Sequence, residues 1–154
     1  MPAKRSAPYF QRLVGLSTRS LGLPGILIVD DQRYARTAIR ALLDWHGFQI
    51  CGDARDGKEA IERVTDLRPD IVLMDLNMPG MNGVVAAAEI RRIAPATKIV
   101  FLTVHDGPGF RAGTRVWAHG FVPKSAAGTE LIPTLNRIVG ITAHEKTVEC
   151  PHCR

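Results

Sequence analysis

The chain has 154 residues, a length typical of one domain with a substantial hydrophobic core. Hydrophobic residues make up 45% of it and charged residues 23%, which is ordinary for a globular protein. No apolar stretch approaches the roughly 18–20 residues of a membrane span, and polar residues interrupt any signal-peptide core near the N-terminus. We therefore expect a cytoplasmic protein without a membrane segment.

The net charge of +5 arises mainly from the first 24 residues. Residues 1–24 contain four basic side chains and no acidic one, whereas the rest of the chain carries 16 basic and 15 acidic residues. Because this larger part is nearly neutral, the positive charge does not by itself indicate nucleic-acid binding. We predict that residues 1–24 are a flexible basic extension, with a nucleic-acid or membrane-surface role as the minor alternative.

Five short apolar runs in the remaining sequence are typical of buried parallel strands. The predicted strands are about Gly25–Asp30, Phe48–Asp53, Ile71–Asp75, Lys98–Thr103 and Gly120–Val122. Segments with helical periodicity follow each strand. The predicted helices are about Arg33–His46, a segment through Ala60, Ile61 and Val64 that ends before Pro69, Gly83–Ile93, Pro108–Trp117 and Thr129–Val139.

Turn signals separate these elements. Gly47 is a stop signal after the first helix, Asp56-Gly57 marks a turn before the second, and Pro79-Gly80 lies in the loop that follows the third strand. The alternation predicts an α/β fold of the (βα)5 type, a doubly wound five-stranded parallel sheet in the order 2-1-3-4-5.

Polar side chains stand at the carboxyl ends of four predicted strands. Asp30 and Asp31 follow the first strand, Asp75 ends the third, Thr103 ends the fourth and Lys124 follows the fifth. Because these ends line one crevice in an open parallel sheet, three carboxylates, a hydroxyl and an ammonium should meet there.

This set of groups indicates a magnesium and phosphoryl site. Carboxylates this close repel one another unless a cation lies among them, and Mg²⁺ prefers oxygen ligands together with substrate phosphate. An isolated Asp30-Asp31 pair would more simply be a helix cap, but the residues at the other strand ends favour a metal. A carboxylate can also attack phosphorus to give an aspartyl phosphate, with Lys124 and Thr103 holding phosphoryl oxygens.

Four segments of the chain resemble the receiver domain of two-component response regulators. They are Ile26–Gln32 (ILIVDDQ), Val72–Gly83 (VLMDLNMPGMNG), Phe101–Thr103 (FLT) and Gly120–Ser125 (GFVPKS). The likeness is strongest to the receivers that precede a helix-turn-helix effector in nitrate-response-type regulators, and it spans about residues 25–139. It implies a flavodoxin-like receiver domain over 25–139.

The resemblance also implies a role for each site residue. Asp75 would be the phosphoacceptor. Asp31 and the backbone carbonyl of Asn77 would join Asp75 as direct Mg²⁺ ligands, with Asp30 acting mainly through water. Lys124 and Thr103 would hold the phosphoryl group.

Signalling in this family implies a conformational switch and protein partners. On phosphorylation the Thr103 hydroxyl would move toward the phosphate and the Phe121 ring would turn inward. We call the surface formed by the predicted fourth helix, the fifth strand and the last helix the output face, and the switch would reshape it. The phosphoryl donor would be a phosphohistidine on a histidine kinase or a histidine phosphotransfer protein. The chain would be a regulatory phosphoacceptor that catalyses only its own phosphorylation and dephosphorylation, rather than an enzyme.

Three other functions are alternatives to this one. A phosphatase of the haloacid-dehalogenase type would need an acid two residues after the nucleophile, where this chain has Asn77. A calcium loop starting at Asp75 has Pro79 inside it and no glutamate at its twelfth position. The third alternative is a receiver-fold adaptor that binds its partner regardless of phosphorylation.

Two departures from the family pattern fall on the output face, and the first of them, in the predicted fourth helix, motivates the adaptor alternative. Glycines in the predicted fourth helix should make it short, distorted or mobile. Trp117 stands where such receivers commonly have glycine; we expect it to fill the core, and the sharper alternative is a partner or dimer contact. Pro133 inside the last helical pattern should make that helix begin late or kink.

The last residues, 140–154, are expected to be a C-terminal tail. They are too few for a helix-turn-helix effector, so we expect a free-standing receiver, a truncated regulator or a product of domain loss, without direct nucleic-acid binding. Cys150 and Cys153 form a C-x-x-C motif that could ligate zinc, although a disordered tail is the simpler interpretation. Cys51 is expected to be a buried small hydrophobe. The sequence leaves open whether the chain forms a homodimer.

Overall fold

A computed structural model describes residues 24–104 and 112–146, and the side chains of 24–104 and 112–140. The predictions for the N-terminal extension, for residues 105–111 and for the Cys150/Cys153 motif lie outside the described residues. None of the helices in the described part is both long and apolar enough to cross a bilayer.

The sheet has the predicted order. Its five strands are β1 (Gly25–Val29), β2 (Gln49–Ala54), β3 (Ile71–Asp75), β4 (Lys98–Thr103) and β5 (Gly120–Pro123). They pair in the order β2-β1-β3-β4-β5, and every pair is parallel. The five-stranded parallel sheet in the order 2-1-3-4-5, predicted from the alternating pattern, is therefore confirmed.

The helices cover both faces of the sheet. They are α1 (Arg33–Trp45), α2 (Gly57–Leu67), α3 (Gly83–Ile93) and α4 (Ala127–Lys146), with a short 3-10 turn over Lys124–Ala126 before the last. Gly47 has φ +77° just after α1, as expected of a glycine that ends a helix.

Two separate hydrophobic clusters hold these layers together. The first packs α2 and α3 against one face of the sheet, and it is centred on Leu27, Val72 and Phe101. The second packs α1 and α4 against the other face, through Ile28, Leu73 and Leu102 among others. Each strand contributes alternate residues to the two clusters, because successive side chains point to opposite faces. Both clusters fix the carboxyl ends of the central strands.

The predicted turn at Asp56-Gly57 is wrong. Asp56 is instead the N-cap of α2, and its carboxylate accepts the Glu59 N–H at 2.8 Å. Glu59 in turn accepts the Arg55 N–H at 2.9 Å. Aspartate is favoured both in turns and at N-caps, so the dipeptide alone did not distinguish them; Glu59 three residues later was the signal for a cap.

The last helix is longer than predicted at both ends. It begins at Ala127 rather than Thr129 and continues to Lys146 rather than Val139. The expectation that Pro133 delays the start of the helix is therefore wrong, since the helix begins at Ala127 and the proline lies inside it. The alternative, a kink at Pro133, stays a prediction.

Burial explains why the helix accepts this proline. Pro133 and Thr129 are both exposed, so the Thr129 carbonyl that loses its helical donor can bind water. Leu131, Leu135 and Ile138 are buried against the sheet on either side of the proline. Their packing stabilises the helix more than local propensity opposes it.

Trp117 packs into the body of the protein. It is half-buried and contacts the first hydrophobic cluster together with Ala118. This contact supports the core-filling interpretation. Residues 112–114 are helical and 115–117 form a turn, whereas the rest of the predicted fourth helix lies outside the described residues.

His119 forms two hydrogen bonds to β4 just before β5 begins. Its backbone N–H donates to the Ile99 carbonyl at 2.7 Å, and its ring Nδ1 accepts the Ile99 N–H at 3.0 Å. The imidazole thus takes the place of a strand carbonyl, and only a ring without a proton on Nδ1 can do so. Burial, together with nearby Lys98 and Arg91, holds the pKa of His119 below its ordinary value.

Acidification should therefore destabilise the protein through His119. Because the folded pKa is below the unfolded one, this stability is complete above about pH 6.5 and is lost as the pH falls through the folded value. His119→Asn keeps an oxygen acceptor that does not titrate in this range. We expect the unfolding temperature of the wild type to fall more than that of His119→Asn between about pH 7.5 and 5. Thermal unfolding followed by circular dichroism measures this, and parallel pH profiles would contradict it.

Candidate functional site

The three acidic residues lie where the two central strands end. Asp30 directly follows β1, Asp75 is the last residue of β3, and the two strands are paired with Val29 opposite Met74. One carboxylate oxygen from each of Asp30, Asp31 and Asp75 can be chosen so that all three lie within 4.8 Å of one another. The structure therefore brings together the carboxylates that the sequence predicted would meet.

Burial differs among the three. Asp30 is fully buried and Asp75 is 2% exposed, whereas Asp31 is the most exposed of the cluster. Burying an ionised carboxylate costs free energy unless it is paired or hydrogen-bonded. The partners of the two buried residues therefore decide whether both can remain buried and charged.

Lys124 supplies the main partner. It follows β5, and its Nζ lies 2.6 Å from Asp30 Oδ2 and 3.2 Å from Asp75 Oδ2. Burial lowers the pKa of Lys124, but the hydrogen bond to Asp30 and the charge of Asp75 outweigh it and the net shift is upward. The ammonium therefore stays charged and compensates part of the acidic cluster.

The pKa of Asp75 is raised, chiefly by burial and also by the neighbouring charge of Asp30. A hydrogen bond from the Asn77 N–H to Asp75 Oδ1, at 3.2 Å, and the charge of Lys124 act in the opposite direction. The pocket thus disfavours a bare carboxylate at Asp75, which a further cation would reverse.

The two residues of the predicted switch lie on adjacent strands. Thr103 ends β4, is buried, and is paired with Pro123 of β5. Phe121 is half-buried, and its ring centroid lies 5.5 Å from that of Phe101, opposite it on β4. The hydroxyl is therefore at the same edge of the sheet as Asp75, and the aromatic ring packs toward the first hydrophobic cluster.

The loop between β3 and α3 is held close to Asp75. Asn82 caps α3 by accepting the Val85 N–H at 3.0 Å, and the Gly83 N–H donates to the Leu76 carbonyl at 3.1 Å. A Cβ at Gly83 would collide with the Asp75 carbonyl oxygen and the Leu76 Cα. Glycine is required here because helix α3 starts against the backbone of the acidic residue itself.

Arg36 on α1 is a contact that the sequence analysis missed. Its Nη1 donates to the Asp30 carbonyl at 2.7 Å, and its Nε donates to Asp53 Oδ2 at 3.2 Å. The signal was available, because Arg36 precedes Ile39 and Leu43 at helical spacing and so falls on the buried face of α1. A charged residue on such a face needs a buried partner.

The donors present fit a magnesium ion. They are carboxylate oxygens, which hard divalent cations prefer, and one ammonium leaves part of their negative charge uncompensated. Asp30, Asp31 and Asp75 are the side chains that could hold it. Asn77 is exposed beside Asp75, where the predicted carbonyl ligand would have to lie.

Replacing Gly83 should displace the Asp75 backbone. We expect Gly83→Ala to lower the free energy of unfolding by on the order of 1–3 kcal/mol, because the added Cβ meets backbone atoms that cannot rotate away. Gly128→Ala in α4 is the matched control: nothing lies within 4 Å, and we expect it to be neutral or to stabilise by up to about 1 kcal/mol. Urea unfolding of both variants measures the difference, and equal stabilities would contradict the steric argument.

Asp75→Asn should stabilise the metal-free protein at neutral pH. Because the folded pKa of Asp75 is raised, its ionisation works against folding as the pH rises through that value, whereas below about pH 4 the residue is protonated in both states. The gain in unfolding temperature, measured in EDTA, should shrink as the pH is lowered from 7. Asp66→Asn, at an exposed position of α2, should show no such gain. A less stable Asp75→Asn protein at pH 7 would show that the Lys124 pair dominates.

Known proteins are similar to this chain in sequence and in fold. The model of the response regulator receiver domain matches residues 26–136. The chemotaxis protein CheY of Thermotoga maritima is 34% identical over 117 residues, which cover 73% of this chain and 95% of CheY. The response regulator GacA of Pseudomonas viridiflava is 35% identical over 115 residues, covering 73% of this chain but 54% of GacA.

A solved structure agrees with these relatives. A LuxR-family DNA-binding response regulator from Staphylococcus aureus has a TM-score of 0.70 and 31% identity, over 75% of this chain and 98% of that one. The likeness to receivers of helix-turn-helix regulators, expected from the motifs, is confirmed. The chain belongs to the response regulator receiver domain family of two-component signalling.

Proposed function

We propose that the chain is a magnesium-dependent phosphoacceptor, in which Asp75 accepts a phosphoryl group from a phosphohistidine of a histidine kinase or phosphotransfer protein. The observation that carries this proposal is the bridge from Lys124 to both Asp30 and Asp75 within the carboxylate cluster. A structural ion pair needs one carboxylate; three, with a cation that spans two of them, suit charge neutralisation of a phosphoryl group.

The proposed step transfers the phosphoryl group from a histidine nitrogen to Asp75. A carboxylate oxygen of Asp75 forms the new O–P bond while the N–P bond of the donor histidine breaks, and the departing imidazole nitrogen keeps the electron pair. Lys124 Nζ lies 3.2 Å from Asp75 Oδ2, close enough to pair with an oxygen of the incoming phosphoryl group. Thr103, at the end of the neighbouring strand, donates its hydroxyl to another.

Asp31, Asp75 and the Asn77 carbonyl are the groups that would hold Mg²⁺, with Asp30 acting through water. When bound, the ion supplies positive charge to the phosphoryl oxygens and to the carboxylates. Burial raises the pKa of Asp75, and a cation beside this carboxylate would act in the opposite direction and favour the ionised form that can act as nucleophile.

Signal output would follow from the Thr103 and Phe121 pair. Movement of the Thr103 hydroxyl toward the phosphate would leave space for the Phe121 ring, whose centroid now lies 5.5 Å from that of Phe101. The output face would then bind a downstream protein. We propose a cytoplasmic regulatory protein that modifies itself once per cycle, rather than an enzyme with an independent substrate.

The test is intact mass spectrometry after incubation with acetyl phosphate and MgCl₂. We expect the wild type to gain the mass of one phosphoryl group, and to lose it again slowly by hydrolysis. Asp75→Asn should gain nothing, and EDTA should prevent the gain in the wild type. Lys124→Met should reduce the extent of modification without changing its site.

Other outcomes separate the alternatives. Multiple turnover on phosphate monoesters would favour a phosphatase. Absence of any magnesium-dependent change, with Asp75→Asn binding the partner as well as the wild type, would favour the phosphorylation-independent adaptor and contradict the proposal.

A further inference from the structure

Arg36 is a largely buried cation beside the acidic cluster that the proposed transfer does not use. Its side chain is 17% exposed and projects from the first turn of α1. The guanidinium spans two strand ends, because Nη1 donates to the Asp30 carbonyl after β1 and Nε donates to Asp53 near the end of β2. A planar fork with fixed donors suits such a two-point contact.

The main chain of Asp30 is held from both sides. Its N–H donates to the Ala54 carbonyl at 3.1 Å, and its carbonyl accepts Arg36. Its side chain accepts the Gln32 N–H at 2.9 Å through Oδ1 and pairs with Lys124 through Oδ2. Each polar group of Asp30 therefore has a protein partner, and Arg36 is the one that fixes the carbonyl.

That carbonyl determines the direction of the next residue. The Asp30 C=O and the Asp31 N–H belong to one planar peptide unit, so holding the oxygen also orients the bond that leads to Asp31. Among the described residues, no hydrogen bond or ion pair fixes the Asp31 carboxylate itself. Its place within the 4.8 Å cluster therefore depends on the backbone that carries it.

We propose that Arg36 is a positioning residue, which aims the Asp31 carboxylate at the metal position by fixing the Asp30–Asp31 peptide and anchoring it to Asp53. The inference deepens the proposed function and rests on it, since it concerns how the same site would hold Mg²⁺. Arg36 does not itself touch the reacting groups.

Charge and positioning predict opposite effects of removing Arg36. A cation near the site repels Mg²⁺, so on charge alone Arg36→Met should tighten metal binding. If Arg36 aims Asp31, the same variant should weaken binding, because groups that orient metal ligands typically contribute about 10- to 100-fold to affinity. The direction of the change therefore distinguishes the two roles.

The experiment is calorimetric titration of the whole chain with MgCl₂. We expect Arg36→Met to weaken Mg²⁺ binding by at least about tenfold. Arg36→Lys keeps the charge but replaces the guanidinium fork with one ammonium. If Arg36 positions Asp31, this variant should weaken Mg²⁺ binding nearly as much as Arg36→Met does, whereas a role through charge alone predicts no change. Because Arg36→Lys is the milder change, it decides the question if Arg36→Met does not fold.

Arg40→Met is the matched control. Arg40 lies one turn further along α1 and its Nη2 is 4.0 Å from Asp53 Oδ2, but among the described residues it forms no hydrogen bond or ion pair with Asp30. Losing this more exposed cation should change the affinity by no more than about twofold, toward tighter binding. Thermal unfolding without metal shows whether each variant is folded.

The outcomes separate the two proposals. If the wild type binds Mg²⁺ and the folded Arg36 variants bind it equally or more tightly, the positioning role is overturned and the proposed function remains intact. Wild type that binds no Mg²⁺ at millimolar concentrations would overturn the proposed function, and this inference with it.

Discussion

The contact of the Lys124 ammonium with Asp30 and Asp75 is the interaction on which the rest of the site depends. Asp30 is fully buried at the end of a central strand, and a lone ion in that position would cost several kcal/mol. The ammonium compensates it and keeps Asp75 within reach of the same positive charge. The pairing requires β5 to lie at the correct edge of the sheet, because only there does Lys124 reach the two carboxylates. The chemistry of the site therefore depends on the order of the strands.

The fold was predictable because its signals are local and repeated. The bounds of β3, β4 and α3 were predicted to the residue, since apolar runs and helical spacing are strong there. The meeting of Asp30, Asp31, Asp75 and Lys124 was predictable too, because the ends of parallel strands must share one edge. The partners of individual side chains were harder to predict. The contact of Lys124 with two carboxylates depends on distances in the folded protein, and the spacing of residues in the sequence does not give them.

Each of the remaining differences between prediction and structure has a physical cause. Asp56-Gly57 suits a turn and a helix start equally, and only the carboxylate of Glu59 at the third helical position favours the cap. Pro133 should interrupt a helix on propensity alone, but buried leucines on both sides hold α4 against the sheet. The helical spacing places Arg36 on the buried face of α1, but it does not show its acceptors, which are the Asp30 carbonyl after β1 and the Asp53 carboxylate in β2. At Pro133, tertiary packing thus overrode a local preference.

The long sequence separation within the ion pair has a consequence for biosynthesis. Asp30 and Lys124 are 94 positions apart, and Lys124 follows the last strand of the sheet. While the ribosome is still making the second half of the protein, the nascent chain already exposes its acidic residues but lacks the cation that neutralises them. The native arrangement at this edge can therefore close only after β5 has emerged and joined β4.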